Sequence, residues 1–135
     1  MAFSNTPWRW ILDAGIKAAQ STDNVFADPM FTLWQAMTRS TEEPGENLMT
    51  RAKKITREES IRLQTIYGAE ILMWADEIGS IEAGKFADIT ILDTDILNCP
   101  VDDIKETKVL VTILGGEPVH GTLDALTESA TASLH

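Results

Sequence analysis

The fold is decided by the stretch DEIGSIEAGKFADITILD, residues 76–93. Its first part, residues 78–81, predicts a short extended segment. Residues 82–85 have the composition of a tight turn, in which Gly84 can adopt a positive φ. The β-branched residues within 87–93 predict a strand that is apolar on most of both faces. From the residues alone, we therefore expect a buried β-hairpin.

The same stretch carries a family pattern, which is Gly-Ser-Ile-Glu-x-Gly-Lys-x-Ala-Asp-Ile-x-Ile-Leu-Asp. This pattern resembles the small C-terminal β-domain segment of the amidohydrolase superfamily, the metal-dependent C–N hydrolases built on a (β/α)8 barrel. The segments 56–69 and 109–119 resemble the preceding helix and the closing hairpin of that family. The resemblance runs from about Trp8 to about Gly121. It is closest to the branch that contains N-substituted formamide deformylases and related amidases.

The chain length limits what this resemblance can imply. A (β/α)8 barrel takes about 250 residues, and about 200 at the least, whereas this chain has 135. The resemblance therefore implies a C-terminal fragment, made of the last barrel strand and helix plus part of the composite β-domain. The predicted fold class is α+β: two main helices packed on a small, mainly antiparallel sheet made of two hairpins, and not a complete TIM barrel.

We expect a single domain with three parts. The resemblance implies that residues 7–75 are the remnant of the barrel's C-terminal strand and helices, and that residues 76–122 are the β-hairpins of the composite sandwich. Residues 123–135 are rich in Thr, Ser and Ala and are expected to form a terminal tail.

Composition and charge exclude several functional classes. The formal net charge of -10 argues against nucleic-acid binding, because phosphate neutralisation needs clustered Lys and Arg. No apolar run reaches the length of a membrane span, and the N-terminus lacks the basic-then-apolar order of a signal peptide. The single cysteine, Cys99, excludes an internal disulfide and fits a reducing compartment. We therefore expect a cytoplasmic protein without nucleic-acid or membrane partners.

Two main helices are predicted on either side of a charged connector. Asp28 is expected to cap the first helix, which has Pro29 in its first turn and one apolar stripe. Thr56 is expected to cap a longer helix over residues 56–73, with Glu59 completing a capping box. Apolar residues occupy more than one face of the longer helix. That pattern indicates a helix that is buried on two sides or that needs a new partner.

Asp23 is the single candidate catalytic residue. It follows a weak predicted strand at residues 16–20, at the position that the resemblance assigns to the aspartate of the eighth barrel strand. In complete family enzymes that carboxylate contacts the metal site and can take a proton from the hydrolytic water. The alternative is a turn aspartate that hydrogen-bonds to its own backbone, and for this chain alone we favour that alternative.

The resemblance implies a divalent metal, usually zinc, but the chain lacks the residues that hold it in the family. Those residues are mainly a His-x-His pair on the first barrel strand, with further ligands on the middle strands. Here the histidines are His120 and His135, and neither is placed to form a site with Asp23. We therefore expect no cofactor and no metal to bind to this chain by itself.

These observations leave two functional hypotheses. In the first, the chain is the C-terminal portion of an amidohydrolase-like hydrolase of non-peptide C–N bonds, active only when another chain or a longer protein supplies the missing barrel. In the second, it is a non-catalytic structural or interaction protein that self-associates. Loss of the barrel is expected to expose the apolar faces of the helices at 29–39 and 56–73, which would drive that self-association.

Overall fold

The computed structural model describes residues 7–22, 28–38 and 54–123. Asp23 and His135 lie outside these ranges, as does the predicted tail beyond residue 123. The elements of the described ranges are α1 (Trp8–Asp13), α2 (Pro29–Thr38), α3 (Arg57–Gln64), α4 (Ile66–Ile71), β1 (Ile89–Leu92), a 3-10 helix (Val101–Glu106), β2 (Val109–Leu114) and β3 (Glu117–His120). The three-part division of the chain stays a prediction.

The strands form a small open antiparallel sheet in the order β1-β2-β3. Gly115 and Gly116 connect β2 to β3 with φ angles of 57° and 92°, which is the backbone that a two-residue hairpin turn requires. On β2, Val111 is fully buried and pairs with Ile91 of β1. The described residues therefore have an α+β fold with no closed barrel among them, which confirms the predicted class and the second hairpin.

The first predicted hairpin, in residues 76–93, is wrong. Residues 78–88 form turns and bends, and β1 begins only at residue 89. Its antiparallel partner is β2 instead of a preceding strand. The predicted turn is nevertheless present, because Gly84 has a φ of 97° and the N–H of Phe86 donates to the Glu77 carbonyl at 2.8 Å.

Gly79 explains why the segment before β1 is not a strand. Its φ of 92° interrupts an extended backbone, and the segment lies directly against α4. A Cβ atom built on Gly79 would be 2.7 Å from the Cβ of Ala69 and 3.0 Å from the Cα of Ile66, closer than a side chain can approach. Close packing on the helix therefore takes the place of strand pairing here.

Helix α2 begins as predicted and is buried within the chain. The Asp28 carboxylate accepts a hydrogen bond from the N–H of Met30 at 2.8 Å, which caps the first turn. Its side chains Leu33, Trp34 and Met37 are buried against Ile104 of the 3-10 helix. The expectation that this helix would expose an apolar face is therefore wrong for the described residues, because the 3-10 helix and α3 cover it.

The predicted longer helix is present as two shorter ones. The capping box is confirmed: the N–H of Glu59 donates to the Thr56 hydroxyl at 3.1 Å, and the N–H of Thr56 donates to the Glu59 carboxylate at 2.7 Å. The helix then breaks at Thr65, whose φ and ψ of -126° and -103° lie outside the helical region. Leu63, near the break, is fully buried.

The core consists of two adjoining clusters that share α2. The first has a buried centre of Leu33, Trp34, Met37 and Ile104, with Phe31, Ile61, Ile96 and Cys99 packed around it. The second has a buried centre of Ala36, Ile55 and Leu63, with Trp8, Leu12, Ala18 and Tyr67 packed around it. Helix α2 thus joins the N-terminal segments to the region around the sheet.

Candidate functional site

The candidate site lies where the segment 16–22 meets the start of α2. The segment runs beside α3 and α4: the N–H of Gln20 donates to the Leu63 carbonyl at 3.0 Å, and the Lys17 ammonium lies 3.0 Å from the Glu70 carboxylate. The predicted strand at 16–20 is wrong as a sheet element, because no described strand pairs with the segment. The segment contacts α3 and α4 instead.

A cleft of ≈ 310 Å³ opens at the end of this segment. The described residues that line it carry no charge and are mostly polar: Gln20, Ser21, Thr22, Pro29, Thr32 and Gln64. Two side-chain amides fix its walls: Gln20 Nε2 donates to the Thr32 carbonyl at 2.7 Å, and Gln64 Nε2 donates to the Pro29 carbonyl at 3.1 Å. The cleft can hydrogen-bond a neutral molecule. The side chains that the structure describes in this lining include no ionisable group and so offer no general acid or base.

The candidate catalytic residue, Asp23, follows Thr22 of the cleft lining directly in the sequence but lies outside the described residues. Its two interpretations, the strand-eight carboxylate and the turn aspartate, both stay predictions. The described chain resumes at Asp28, whose carboxylate is engaged in capping α2.

The described residues do not fit the divalent metal that the resemblance implies. Within residues 7–22, 28–38 and 54–123, no three side chains of His, Cys, Asp and Glu lie close enough to hold a metal ion. His120 is on the exposed strand β3, and His135 falls beyond the described residues. No step of a reaction can be assigned to a metal on the described part of this chain.

Arg9 forms the principal ionic contact between α1 and α3. Its guanidinium lies 2.8 Å from the carboxylates of both Asp13 and Glu59. Hydrogen bonds to these two carboxylates raise the pKa of Arg9. Burial acts to raise the pKa of Glu59, but the backbone N–H of Thr56 and the Arg9 guanidinium outweigh it and hold that pKa below its ordinary value. These groups therefore join α1 to α3 in the described chain.

Two further carboxylates, at the ends of β1, hold this strand to β2. Asp88 accepts a hydrogen bond from the N–H of Gly115 at 2.7 Å, and Asp93 accepts one from the N–H of Lys108 at 2.9 Å. The Lys108 N–H is the largest cause that lowers the pKa of Asp93. Sequence reasoning missed both contacts, although an aspartate at each end of a short strand was a visible signal.

No helix in the described part of the chain is both long enough and apolar enough to cross a membrane.

Three curated relatives match a large part of the chain. An N-substituted formamide deformylase of Arthrobacter pascens is 33% identical over 117 residues, covering 82% of this chain and 20% of that protein. An imidazolonepropionase of Bdellovibrio bacteriovorus is 32% identical over 118 residues, covering 87% of this chain and 26% of that protein. A 5-methylthioadenosine/S-adenosylhomocysteine deaminase of Thermoanaerobacter pseudethanolicus is 33% identical over 95 residues, covering 70% of this chain and 22% of that protein. The chain therefore spans only a fifth to a quarter of the length of these relatives.

Two solved structures share the fold. An adenosine deaminase from Xanthomonas campestris, solved with bound zinc, matches 93% of this chain and 32% of its own with a TM-score of 0.63 at 20% identity. An amidohydrolase from Thermotoga maritima matches 83% of this chain and 25% of its own with a TM-score of 0.59 at 22% identity. At these identities the likeness shows the fold alone.

The family assignment rests on nearly the whole chain. The model of the amidohydrolase family matches residues 1–120, which includes the segment around the cleft and the complete three-stranded sheet. The relatives named above match over much of the same chain. This chain therefore belongs to the amidohydrolase family.

Proposed function

We propose that the chain is the C-terminal portion of an amidohydrolase-type hydrolase that acts on C–N bonds other than peptide bonds, and that it is not catalytically competent alone. One observation carries this proposal. The family match covers residues 1–120, whereas the aligned part is only 20% of the formamide deformylase of A. pascens. The remaining four-fifths of such a protein is where the missing catalytic machinery belongs.

In this proposal Asp23 is the chain's contribution to the complete active site. It follows the cleft lining directly in sequence, so the contacts of Gln20 and Gln64 would fix the backbone that leads to it. Another polypeptide or a longer form of this protein would supply the metal centre. The zinc bound by the adenosine deaminase from X. campestris supports a metal in that portion. The proposed location is cytoplasmic, consistent with the single cysteine.

Metal analysis and an amide-hydrolysis assay on the purified 135-residue protein test this proposal. We expect zinc far below one equivalent and no release of formate from an N-substituted formamide, the substrate class named by the A. pascens relative. That deformylase itself serves as the positive control. One equivalent of zinc together with turnover would contradict the claim that the chain is incompetent alone.

The second candidate is a non-catalytic interaction protein that self-associates. Its apolar contact surface cannot be the described face of α2, which is buried. The observation that favours it is the run of exposed large apolar side chains over residues 71–74, together with the open edge of the sheet at β3. Sedimentation velocity over a wide concentration range decides the matter, and a monomer at the highest concentration would count against this candidate.

A further inference from the structure

The methionines of the described chain differ sharply in exposure. Met73 is 89% exposed, whereas Met37 is 7% exposed and belongs to the core. Met30, near the start of α2, is half-buried. A peroxide oxidises a thioether only when it reaches the sulfur atom, so exposure orders the reactivity of methionines. Met73 is therefore expected to be the most reactive of these three.

The end of α4 presents the Met73 side chain to solvent through a defined backbone turn. Leu72 is the C-cap of the helix, and Met73 follows it with a left-handed φ of 58°. The N–H of Met73 donates to the Glu70 carbonyl at 3.1 Å, and the N–H of Trp74 donates to the Ala69 carbonyl at 2.9 Å. These two bonds form a Schellman motif, which stabilises the left-handed residue after a helix. The exposure of Met73 therefore belongs to a hydrogen-bonded helix end.

Met73 is the most exposed member of a run of apolar residues. Its neighbours Ile71, Leu72 and Trp74 are 47%, 62% and 58% exposed. We call residues 71–74 the helix-end run. Exposed apolar residues are usually scattered singly, whereas adjacent ones form a surface that adheres to other apolar material. A change in the polarity of Met73 therefore changes the run where water reaches it most.

We propose that Met73 is a site of reversible oxidation that sets the polarity of the helix-end run. A lone pair of the Met73 sulfur attacks one oxygen of hydrogen peroxide, the O–O bond breaks, and the products are a sulfoxide and water. The sulfur loses two electrons and the peroxide gains them. A methionine sulfoxide reductase reverses the step, with two electrons from a thiol that becomes a disulfide and with release of the oxygen as water. Met73 lies outside the cleft lining, so this site is independent of the proposed function.

Oxidation of Met73 is expected to leave the fold intact. Its exposed side chain packs little, and the Schellman bonds use backbone atoms that oxidation does not change. Met37 differs, because it packs with Leu33, Trp34 and Ile104, where a polar sulfoxide would disrupt the core. Of these two methionines, only Met73 combines reactivity with a surface change that the folded chain tolerates.

Treatment of the 135-residue chain with dilute hydrogen peroxide, followed by peptide mass spectrometry, tests the site itself. Met73 is expected to gain one oxygen at least about tenfold faster than Met37, because only its sulfur is open to the peroxide. Measurement on separate peptides distinguishes this change from oxidation of Cys99. A methionine sulfoxide reductase with a thiol should then remove the added oxygen from Met73.

Retention on a hydrophobic-interaction column tests the change in polarity. The oxidised chain is expected to elute earlier than the untreated chain and to return to its first position after treatment with the reductase. Met73→Leu is the matched control, because leucine is apolar, is similar in volume and has no sulfur. Its retention should not change with peroxide. Far-UV circular dichroism of the oxidised chain should match that of the untreated chain.

Three results would overturn the proposal. Oxidation of Met73 no faster than that of Met37 would show that its sulfur is shielded in the folded chain. An equal shift in retention for Met73→Leu and the unmodified chain would assign the polarity change to another residue. Loss of helical circular dichroism when Met73 is the oxidised residue would show that its side chain holds the fold.

Discussion

Helix α2 and the end of α4 differ in whether their tryptophan is covered. Trp34, in the middle of α2, is 5% exposed and donates from its indole N–H to the Asp102 carboxylate at 3.0 Å, with the Lys105 ammonium 5.0 Å from its ring. Trp74, just beyond α4, is 58% exposed. Other segments of the chain therefore cover α2, whereas the end of α4 stays exposed. Because α2 is buried in the same small chain, chain size alone does not explain the exposure at the end of α4.

The largest expected effect comes from exchanging these two tryptophans for alanine. Trp34→Ala should lower the free energy of unfolding by about 3 to 5 kcal/mol, because it leaves a cavity in the core and removes the partner of Asp102. Trp74→Ala should change it by about 0.5 kcal/mol or less, as for most exposed positions. Urea unfolding followed by far-UV circular dichroism measures both. Equal losses for the two variants would show that Trp74 is packed in solution.

The start of α3 offers the next effect, because its capping box joins Thr56 and Glu59, which are only three residues apart. Thr56→Ala removes the hydroxyl that accepts from the N–H of Glu59 and should cost about 1 kcal/mol of unfolding free energy. Thr56→Ser keeps the hydroxyl and is the matched control. If the two variants were equally stable, the capping box would contribute nothing to the isolated chain.

The starts of α2 and α3 and the turn between β2 and β3 were predictable because their sequence signals are local. Asp28 before Pro29, the spacing of Thr56 and Glu59, and the Gly115-Gly116 turn each act within a few residues, and the structure contains all three. The pairing of β1 with β2 was missed because the two strands lie far apart in the sequence and Gly79 packs on α4 instead of extending a hairpin. Local patterns do not encode such contacts.

The burial of α2 was missed for the same reason. Its cover, the 3-10 helix around Ile104, comes some 70 residues later than Trp34, so the stripe on α2 gave no indication of what would pack on it. For the site, the sequence offered only the family resemblance, which assigned a role to Asp23, and that role stays a prediction. The cleft arises from Gln20, Thr32 and Gln64, whose amide contacts join three separate segments and follow no sequence motif.

The end of α4 gives a smaller effect of opposite sign. Met73→Gly should raise the free energy of unfolding by about 0.5 to 1 kcal/mol, because glycine adopts the left-handed backbone without strain, although it also increases the entropy of the unfolded chain. Urea unfolding of the isolated chain measures this gain, and Met73→Ala, which keeps the Cβ atom, is the control. A loss of stability in the glycine variant would show that the Met73 side chain already packs within the chain.

The smallest expected effect concerns the sheet instead of the helix ends, and it depends on pH. The pKa of Asp93 is lowered in the folded state from its ordinary value of 3.8, chiefly by the Lys108 N–H. Its contribution to stability is therefore present above pH 3.8 and is lost as the pH falls through the lowered pKa. Asp93→Asn should flatten the fall in stability between pH 5 and about pH 3, measured by urea unfolding at each pH. Asp13→Asn, at an exposed carboxylate that pairs with Arg9, is the comparison. A pH profile for Asp93→Asn that superimposes on that of the unmodified chain would show that the hydrogen bond does not hold β1 to β2 in solution.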